Sequence, residues 1–298
     1  MIRMPYFPCQ RRWTKTEIQN GQLNDSVLSR PIMALFVAAT FAAGSLSPAH
    51  ANCNAAPSPG VSWHGCDIGD AELQESSLGR ALLSRIQAEG VNLRQADLEG
   101  AVVTEAMLDQ ANLQQARLRR ADFGSSSLRN ADLSDVLAQG VRFTSADLSG
   151  ARLDRADLRG GRFDGARLNK ASLKDADISD GRLYNAQLRE INGQGMRLSD
   201  AGLGRADLSQ ADLREANLSG ADLAGVRMEN ADLRGANLEG ANLNGTRLAG
   251  ADFRGANLQR ADLRNADITR TRFDDAELGN ATWVDRRHCR PRSVGTCD

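Results

Sequence analysis

The sequence predicts a repeat solenoid, an elongated fold in which one short unit stacks on the next, from two observations. The first is a large apolar residue at every fifth position, as at Leu233 and Leu238. The second is that like residues recur at a spacing of twenty, as in the series Phe123, Phe143, Phe163. A fixed period over a long stretch of chain is the signature of architectures whose units bury their apolar surface only against their neighbours.

A period of five fits neither regular element. Five residues advance an α-helix by roughly 140°, so leucines at that spacing would point in several directions around it. In a strand, successive leucines would alternate between the two faces. Neither element gathers the leucines on one side, so a different arrangement must bury them.

The register of the repeat is unbroken. We call the central apolar position of each unit i. It falls on residue numbers ending in 3 or 8 from Ile68 to Trp283, which makes 44 consecutive units in steps of five. Leu, Phe and Ile fill most i positions, and only Ala88, Ala138 and Gly193 are small. The i−2 position is mostly Ala, and the other three positions are mostly polar or Gly.

Units of the form A(D/N)LXX, as in "ADLRGANLEGANLNG" (231–245), resemble the pentapeptide-repeat family. The resemblance covers about three-quarters of the chain, residues 66–285 of 298. It implies an all-β fold, a right-handed quadrilateral β-helix with one unit per side, in which the i and i−2 side chains point inward. At four units per coil, 44 units give about eleven coils, or a rod roughly 50 Å long at the spacing of β-strands.

Outward positions also form columns at a spacing of twenty. One column consists of the asparagines Asn217, Asn237 and Asn257. In another, an Asp and an Arg flank the inward residue in three successive coils: Asp212/Arg214, Asp232/Arg234 and Asp252/Arg254. Amide ladders suit parallel coils about 4.8 Å apart. The alternating charges predict a solvated, self-neutralising surface.

Alanine at i−2 has a steric reason, because so narrow a coil has no room for a second large side chain. Ile86, Ile191 and Met196 depart from this rule. We therefore expect bulges or bends in residues 84–90 and 191–196.

The N-terminal region predicts export. The apolar run IMALFVAATFAAG (32–44) is shorter than the roughly 20 residues of a membrane span. Arg30 precedes it, and the sequence AHA (49–51) follows with small residues at the −3 and −1 positions of a cleavage site. This pattern is typical of a secretory signal peptide. We expect a periplasmic or secreted protein that is cleaved near Ala51 and has no membrane span.

The predicted organisation has four parts: an N-terminal extension with the signal peptide (1–51), an N-terminal cap (52–65), the β-helix (66–285) and a C-terminal cap or tail (286–298). After cleavage an even number of cysteines remains, all near the two ends of the repeat: Cys53, Cys66, Cys289 and Cys297. In an oxidising compartment we expect local disulfides that staple each cap. Four free thiols are the alternative.

Catalytic residues are scarce. The chain contains only three histidines, His50, His64 and His288. The first leaves with the signal peptide, and the others belong to opposite ends of the rod, so no nucleophile–base pair can be assembled from them. No metal-ligand spacing or phosphate-binding loop is present either. We expect a non-enzymatic protein without a cofactor.

The charge of the chain separates two classes of function. Some pentapeptide-repeat proteins protect DNA gyrase and resemble B-form DNA, so the resemblance implies a DNA-mimicking, gyrase-interacting protein as the alternative to an exported scaffold or interaction module. The predicted mature chain has 38 − 2 = 36 acidic and 37 − 5 = 32 basic residues, a net charge of −4. Duplex DNA carries about thirty charges over roughly 50 Å. This balance favours the exported module, and without a basic excess we expect no binding of nucleic acid.

One outward column is basic. Six residues on it and around the neighbouring corner form a candidate patch for an unidentified protein partner: Arg119, Arg142, Arg159, Arg162, Arg182 and Tyr184. A merely solubilising surface, diluted by Asp122, Asp164 and Asp180, is the alternative. Open coil ends expose core and unpaired edges, so end-to-end homo-oligomers are a further expectation.

Overall fold

The computed structural model describes residues 51–69 and 71–298, and its backbone winds into a four-sided coil. Its regular structure consists of single-residue parallel bridges that join each i−1 residue to the i−1 residue twenty positions on, from Ser62–Leu82 to Asp262–Thr282. Twenty residues are four units, so four columns of bridges run along the rod. Residues 1–50, which include the apolar run of the predicted signal peptide, lie outside the described residues. Within the described residues, no helix is long and apolar enough to cross a membrane.

Regular backbone hydrogen bonds join each coil to the next. The N–H of Leu73 donates to the carbonyl of Asn92 at 2.7 Å, and the N–H of Asn92 donates back to the carbonyl of Ala71 at 2.9 Å. The N–H of Glu75 donates to the carbonyl of Arg94 at 2.8 Å. The same three bonds recur around most of the rod, so the backbone of a narrow coil stays paired without long strands.

Each corner is a four-residue turn. The N–H of an i−2 residue donates to the i carbonyl of the preceding unit, as from Ala241 to Leu238 at 3.0 Å. The third residue of this turn has positive φ, which is +67° at Gly240 and +61° at Gln210. A positive φ is unfavourable for residues with a side chain. Many corners nevertheless carry such residues, because the bonds between coils fix the backbone there.

Gly240→Ala is expected to lower the free energy of unfolding by about 1 kcal/mol, because alanine must adopt a positive φ there. Gly202→Ala is the matched control. An added Cβ meets no atom within 4 Å at either glycine, but Gly202 does not have a positive φ. Thermal unfolding followed by circular dichroism should show a loss for the first variant only. Equal melting temperatures would contradict the assignment of the strain to φ.

The inward positions are the predicted ones. Leu233 and nearly all other i and i−2 side chains are fully buried. The phenylalanines stack along the axis, with ring centroids 5.2 Å apart for Phe123–Phe143 and 5.4 Å for both Phe143–Phe163 and Phe253–Phe273. The coil conformation begins at Val61, one unit before Cys66, and the buried Trp63 occupies the i position of that unit.

The expected bulges at 84–90 and 191–196 are absent, because large and small residues exchange places inside the coil. Wherever i is small, i−2 is large: the pairs are Ile86/Ala88, Val136/Ala138 and Ile191/Gly193. The bridges Gln87–Met107 and Asn192–Asp212 keep the spacing of twenty through these units. A Cβ on Gly193 would lie 2.5 Å from the sulfur of Met196, so Met196 occupies the space that this glycine leaves.

Hydroxyl groups at i−2 are satisfied by the preceding coil. Thr246 Oγ1 donates to the carbonyl of Leu223 at 2.9 Å, and Thr271 Oγ1 donates to that of Leu248 at 2.8 Å. Ser76 lies in the first coil, where no earlier coil offers this carbonyl, and its buried hydroxyl has no partner among the described residues.

The two ends are built differently. At the C-terminal end the chain folds back on the last coil through the antiparallel bridges Thr282–His288 and Glu277–Val294. Cys289 and Cys297 are bonded there, with Cα atoms 4.7 Å apart. At the N-terminal end Cys53 and Cys66 are bonded, with Cα atoms 5.6 Å apart. The indole Nε1 of Trp63 donates to the carbonyl of Ala55 at 3.1 Å, which holds the preceding segment against the first coil.

Candidate functional site

Three of the six predicted patch residues stand directly above one another. Parallel bridges join Arg142 to Arg162 and Arg162 to Arg182, so these residues occupy the same outward position in three successive coils. All three are exposed. We call Arg142, Arg162 and Arg182 the arginine column.

The column is only partly neutralised. Arg142 Nη1 lies 2.9 Å from Asp122 Oδ2, and Arg182 Nη2 lies 3.6 Å from Asp164 Oδ1. Arg162 forms no ion pair with any residue that the structure describes. The middle of the column therefore keeps an uncompensated positive charge.

Arg119 and Arg159 lie on the adjoining side and are engaged there. Arg159 makes two hydrogen bonds to Asp157, at 2.8 and 2.7 Å, which lower the pKa of that carboxyl group. Arg119 Nε donates to Gln139 Oε1 at 2.8 Å. These two arginines are therefore less available to a ligand than the arginine column.

A shallow cavity opens at the corner beside the column. Arg120, Arg142 and Arg162 line it, together with Gly140 and Gly160. Because glycines occupy these corners, no side chain fills the cavity between the arginines. Sequence reasoning missed Arg120, although the column of corner residues at a spacing of twenty, with glycine at 100, 140 and 160, contains it.

The i−1 residue also decides whether a backbone donor is free. Where i−1 is Asp or Asn, its side chain accepts the N–H of the i+1 residue, as Asp232 does from Arg234 at 3.2 Å. This bond, a short-range side-chain-to-backbone interaction, explains the preference for Asp and Asn at i−1. Arginine has no acceptor. Units with Arg or Gly at i−1 therefore lack this acceptor for their i+1 N–H.

On the side that carries the arginine column, four successive coils lack a side-chain acceptor at i−1. The i−1 residues are Arg142, Arg162, Arg182 and Gly202, and none of them can accept. The corresponding i+1 N–H groups form no hydrogen bond with the described part of the chain: Thr144, Asp164, Tyr184 and Gly204. We call these four N–H groups the amide row. Backbone and side-chain donors thus lie next to each other along this side.

Tyr184 extends the surface beside the column. Among the described residues it is the only Phe, Tyr or Trp that is exposed, at 44%. Its ring lies over Gly204, where an added Cβ would be 3.5 Å from Tyr184 Cδ2. The guanidinium carbon of Arg205 lies 5.7 Å from the ring centroid, at cation–π distance. The ring is therefore held flat and accessible.

Many of the other outward charges form neutralising pairs, as predicted. The paired hydrogen bonds from Nε and Nη2 of Arg214 to Asp212 are 2.8 and 2.7 Å long, and those from Arg234 to Asp232 are 2.8 and 2.6 Å. The predicted amide ladder is also present, with Asn257 Nδ2 donating to Asn237 Oδ1 at 3.1 Å. Such exposed pairs organise the surface without creating a binding site.

Acid is expected to destabilise the coil through these pairs. The hydrogen bonds from Arg214 and Arg254 lower the pKa values of Asp212 and Asp252 below the ordinary carboxyl value. Their contribution to stability is therefore present above about pH 4, the pKa of an unfolded Asp, and is lost as the pH falls through the lower folded value. The melting temperature should fall between about pH 4 and pH 2. The double variant Arg214→Gln/Arg254→Gln should show a smaller fall, and an equal one would contradict this role of the pairs.

The histidines lie at opposite ends, as the sequence predicted. His64 belongs to the first unit, and His288 lies beyond the last, with Nδ1 3.3 Å from Thr282 Oγ1. In the part of the chain that the structure describes, no three His, Cys, Asp or Glu side chains are grouped to hold a metal ion.

A comparison with known protein families finds one match for this chain. The pentapeptide-repeat family model matches in eight copies, over residues 66–192 and 201–282. HetL, a pentapeptide repeat protein involved in heterocyst differentiation regulation from the cyanobacterium Nostoc sp. strain PCC 7120, is 34% identical. The match covers 68% of this chain and 92% of HetL, with a TM-score of 0.35.

Two further solved structures are similar. Rfr23, from the cyanobacterium Cyanothece 51142, is 38% identical over 31% of this chain and 63% of that chain, with a TM-score of 0.30. QnrB1, a plasmid-mediated fluoroquinolone resistance protein, is 19% identical over 60% of this chain and 82% of that chain, with a TM-score of 0.40. No protein with a curated description matches. The family model spans most of the coil, so the chain belongs to the pentapeptide-repeat family and has its right-handed quadrilateral β-helix.

Proposed function

We propose that this protein is a non-enzymatic, exported rod that acts as a scaffold or protein-interaction module. The observation that carries the proposal is the row of unpaired donors that runs through four successive coils on one side of the rod. Arg162 lacks an ion pair, and the amide row beside it lacks acceptors, among the residues that the structure describes. Unpaired donors on a regular surface suit recognition of a partner better than catalysis, which needs groups that converge on a reacting atom.

The disulfides support export. Cys53–Cys66 and Cys289–Cys297 are both local, with sequence separations of 13 and 8 residues, and each joins a terminal segment to its own end of the coil. Disulfides persist in oxidising compartments and are rare in the cytosol. We infer that they staple the two end caps of an exported protein.

Export predicts where the mature chain begins. Protein recovered from intact cells should start near Asn52 and lie outside the cytoplasm, because the apolar run and the AHA site direct export and cleavage. Edman sequencing of the fractionated protein measures this. The variant Ala51→Arg should keep the N-terminal segment, because a large residue at −1 blocks cleavage. A cytoplasmic protein that starts at Met1 would overturn the proposal and favour the gyrase-interacting alternative.

The interaction itself is tested in the native cell by a photo-crosslinking amino acid placed at Tyr184. The matched control places it at Lys174, which lies two units earlier and therefore on the opposite side of the four-sided coil. We expect a product of discrete size from position 184 and none from position 174. The absence of a product from 184, or the same product from both positions, would contradict an interaction surface on this side.

A further inference from the structure

We propose that the arginine column and the amide row together form a docking site for an extended acidic segment of a partner protein. The inference rests on the proposed function and names the chemistry of the partner. Guanidinium groups and backbone N–H groups are both donors, and carboxylates are acceptors. A surface that offers unpaired donors of both kinds therefore selects a ligand that is rich in carboxylates.

The spacing of the coils fits an extended chain. Adjacent coils lie about 4.8 Å apart, so the three arginines span about 10 Å and the four N–H groups about 14 Å. An extended polypeptide rises about 3.3 Å per residue, so four or five residues match the length of the amide row. Charge-assisted hydrogen bonds from Arg162 and its neighbours would hold the carboxylates of such a segment.

The ends of the column argue for a short ligand. In the same column of bridges, Asp122 precedes Arg142, and Asp222 follows Gly202. A long polyanion such as a nucleic acid would continue past these positions and meet their negative charges. A short acidic run, set within a protein that makes other contacts, ends before them.

One acceptor lies inside the site. The Oδ1 atom of Asp164 is buried and forms no hydrogen bond with the described residues, and it lies 3.6 Å from Arg182 Nη2. Within the arginine column, this carboxylate forms an ion pair with Arg182 alone. The site therefore depends most on Arg162.

Tyr184 favours a protein over other polyanions. Tyr and Arg are enriched at the centres of protein interfaces, where they contribute most of the binding energy. The exposed ring over Gly204 gives the partner a flat contact at the end of the arginine column.

The experiment measures binding of a fluorescent tetraglutamate peptide to the exported, oxidised protein by anisotropy at low salt, with tetraglutamine as the control peptide. We expect binding of tetraglutamate alone, weakened by added salt. Arg162→Gln removes the charge. Arg162→Asn also places an acceptor where it can bond the Asp164 N–H, as asparagines do at other i−1 positions. We expect affinity losses of about tenfold for Gln and more for Asn.

Two control measurements test whether a loss of affinity arises at this site. Lys174→Gln makes the same change of charge on the opposite side and should alter affinity less than about twofold. Arg162→Asn should melt no lower than the wild type, because it restores a turn bond that the fold uses elsewhere. Equal losses from Lys174→Gln and Arg162→Gln, or no tetraglutamate binding at about 1 mM, would overturn the acidic-segment site.

Two further outcomes identify a wrong partner class. Single-stranded DNA or a sulfated glycan that bound more tightly than the peptide, with dependence on Arg162, would overturn the protein partner. A crosslink from position 184 in cells without tetraglutamate binding would leave the interaction module in place and reject its acidic specificity.

Discussion

Leu233→Asp is expected to unfold or fray the coil around it, whereas Arg234→Ala, one residue further, should melt close to the wild type. Leu233 is fully buried, and its N–H donates to the carbonyl of Asp252 at 2.8 Å. An unpaired carboxylate at this position costs several kcal/mol, and the lost leucine adds about 2–5 kcal/mol. Typical total stabilities are about 5–15 kcal/mol.

The effect should spread along the axis. Leu213 and Phe253 occupy the equivalent position in the coils on either side, and both are fully buried. Because each coil contacts only its neighbours, a defect in one removes packing from both. Local opening should then appear first as loss of hydrogen-exchange protection in residues 211–255.

Arg234 provides the matched control because it belongs to the same unit and points outward. Its Nη2 lies 2.6 Å from Asp232 Oδ2, and its side chain is 44% exposed. Thermal unfolding by circular dichroism compares the variants, and Leu233→Ala serves if Leu233→Asp does not fold. Equal thermal shifts for positions 233 and 234 would contradict the assignment of inward and outward residues.

The five-residue period of the sequence predicts most of the fold, because the burial of side chains recurs with the same period. It gave the inward positions, the phenylalanine stacks and the asparagine ladder directly. Rules that link two inward positions cannot be read from each position alone. Met196 is larger than the alanine that is usual at i−2, but Gly193, at i in the preceding unit, leaves the space that its sulfur occupies.

The candidate site was predicted only in part. The spacing of twenty placed Arg142, Arg162 and Arg182 in one column, which the structure confirms. The amide row could not be predicted, because it depends on the hydrogen bond between an i−1 side chain and the i+1 N–H. That bond depends on the geometry of the turn, which the sequence does not give. Arginine at i−1 cannot accept it, so the i+1 N–H stays unpaired. The sequence predicted a cap at residues 286–298 but not its antiparallel bridges to the last coil, since nothing periodic marks these residues.

Reduction of the two disulfides is expected to loosen the ends of the rod and promote end-to-end oligomers while the central coils stay intact. Closing loops of 13 and 8 residues stabilises by about 2–3 kcal/mol each in the chain-entropy model. This energy is localised at the caps, because units of a solenoid are coupled mainly to their neighbours. Size-exclusion chromatography with and without reductant should show the shift to larger species, with little change in the far-ultraviolet spectrum.

Unpaired backbone groups are the reason for which we expect the ends to associate. The first coil has no preceding coil, and the N–H groups of its i−1 residues make no hydrogen bond with the described residues: Ser62, Asp67, Glu72 and Ser77. Unpaired edges of this kind pair with another chain when nothing covers them. The segment that Cys53 ties to Cys66 lies at this end, where its Ala55 carbonyl accepts from buried Trp63.

Variants at each end show which cap restrains association. Cys53→Ser/Cys66→Ala places at 66 the alanine that most i−2 positions carry, so it removes the bond without disturbing the coil. Cys289→Ser/Cys297→Ser opens the other end, where antiparallel bridges at Thr282 and Glu277 still hold the chain. We therefore expect more oligomer from the N-terminal pair than from the C-terminal pair.

Peptide mapping without reductant identifies which cysteines are paired. Four free thiols, or a link between an N-terminal and a C-terminal cysteine of one chain, would refute the cap assignment, because such a link must span roughly 50 Å of rod.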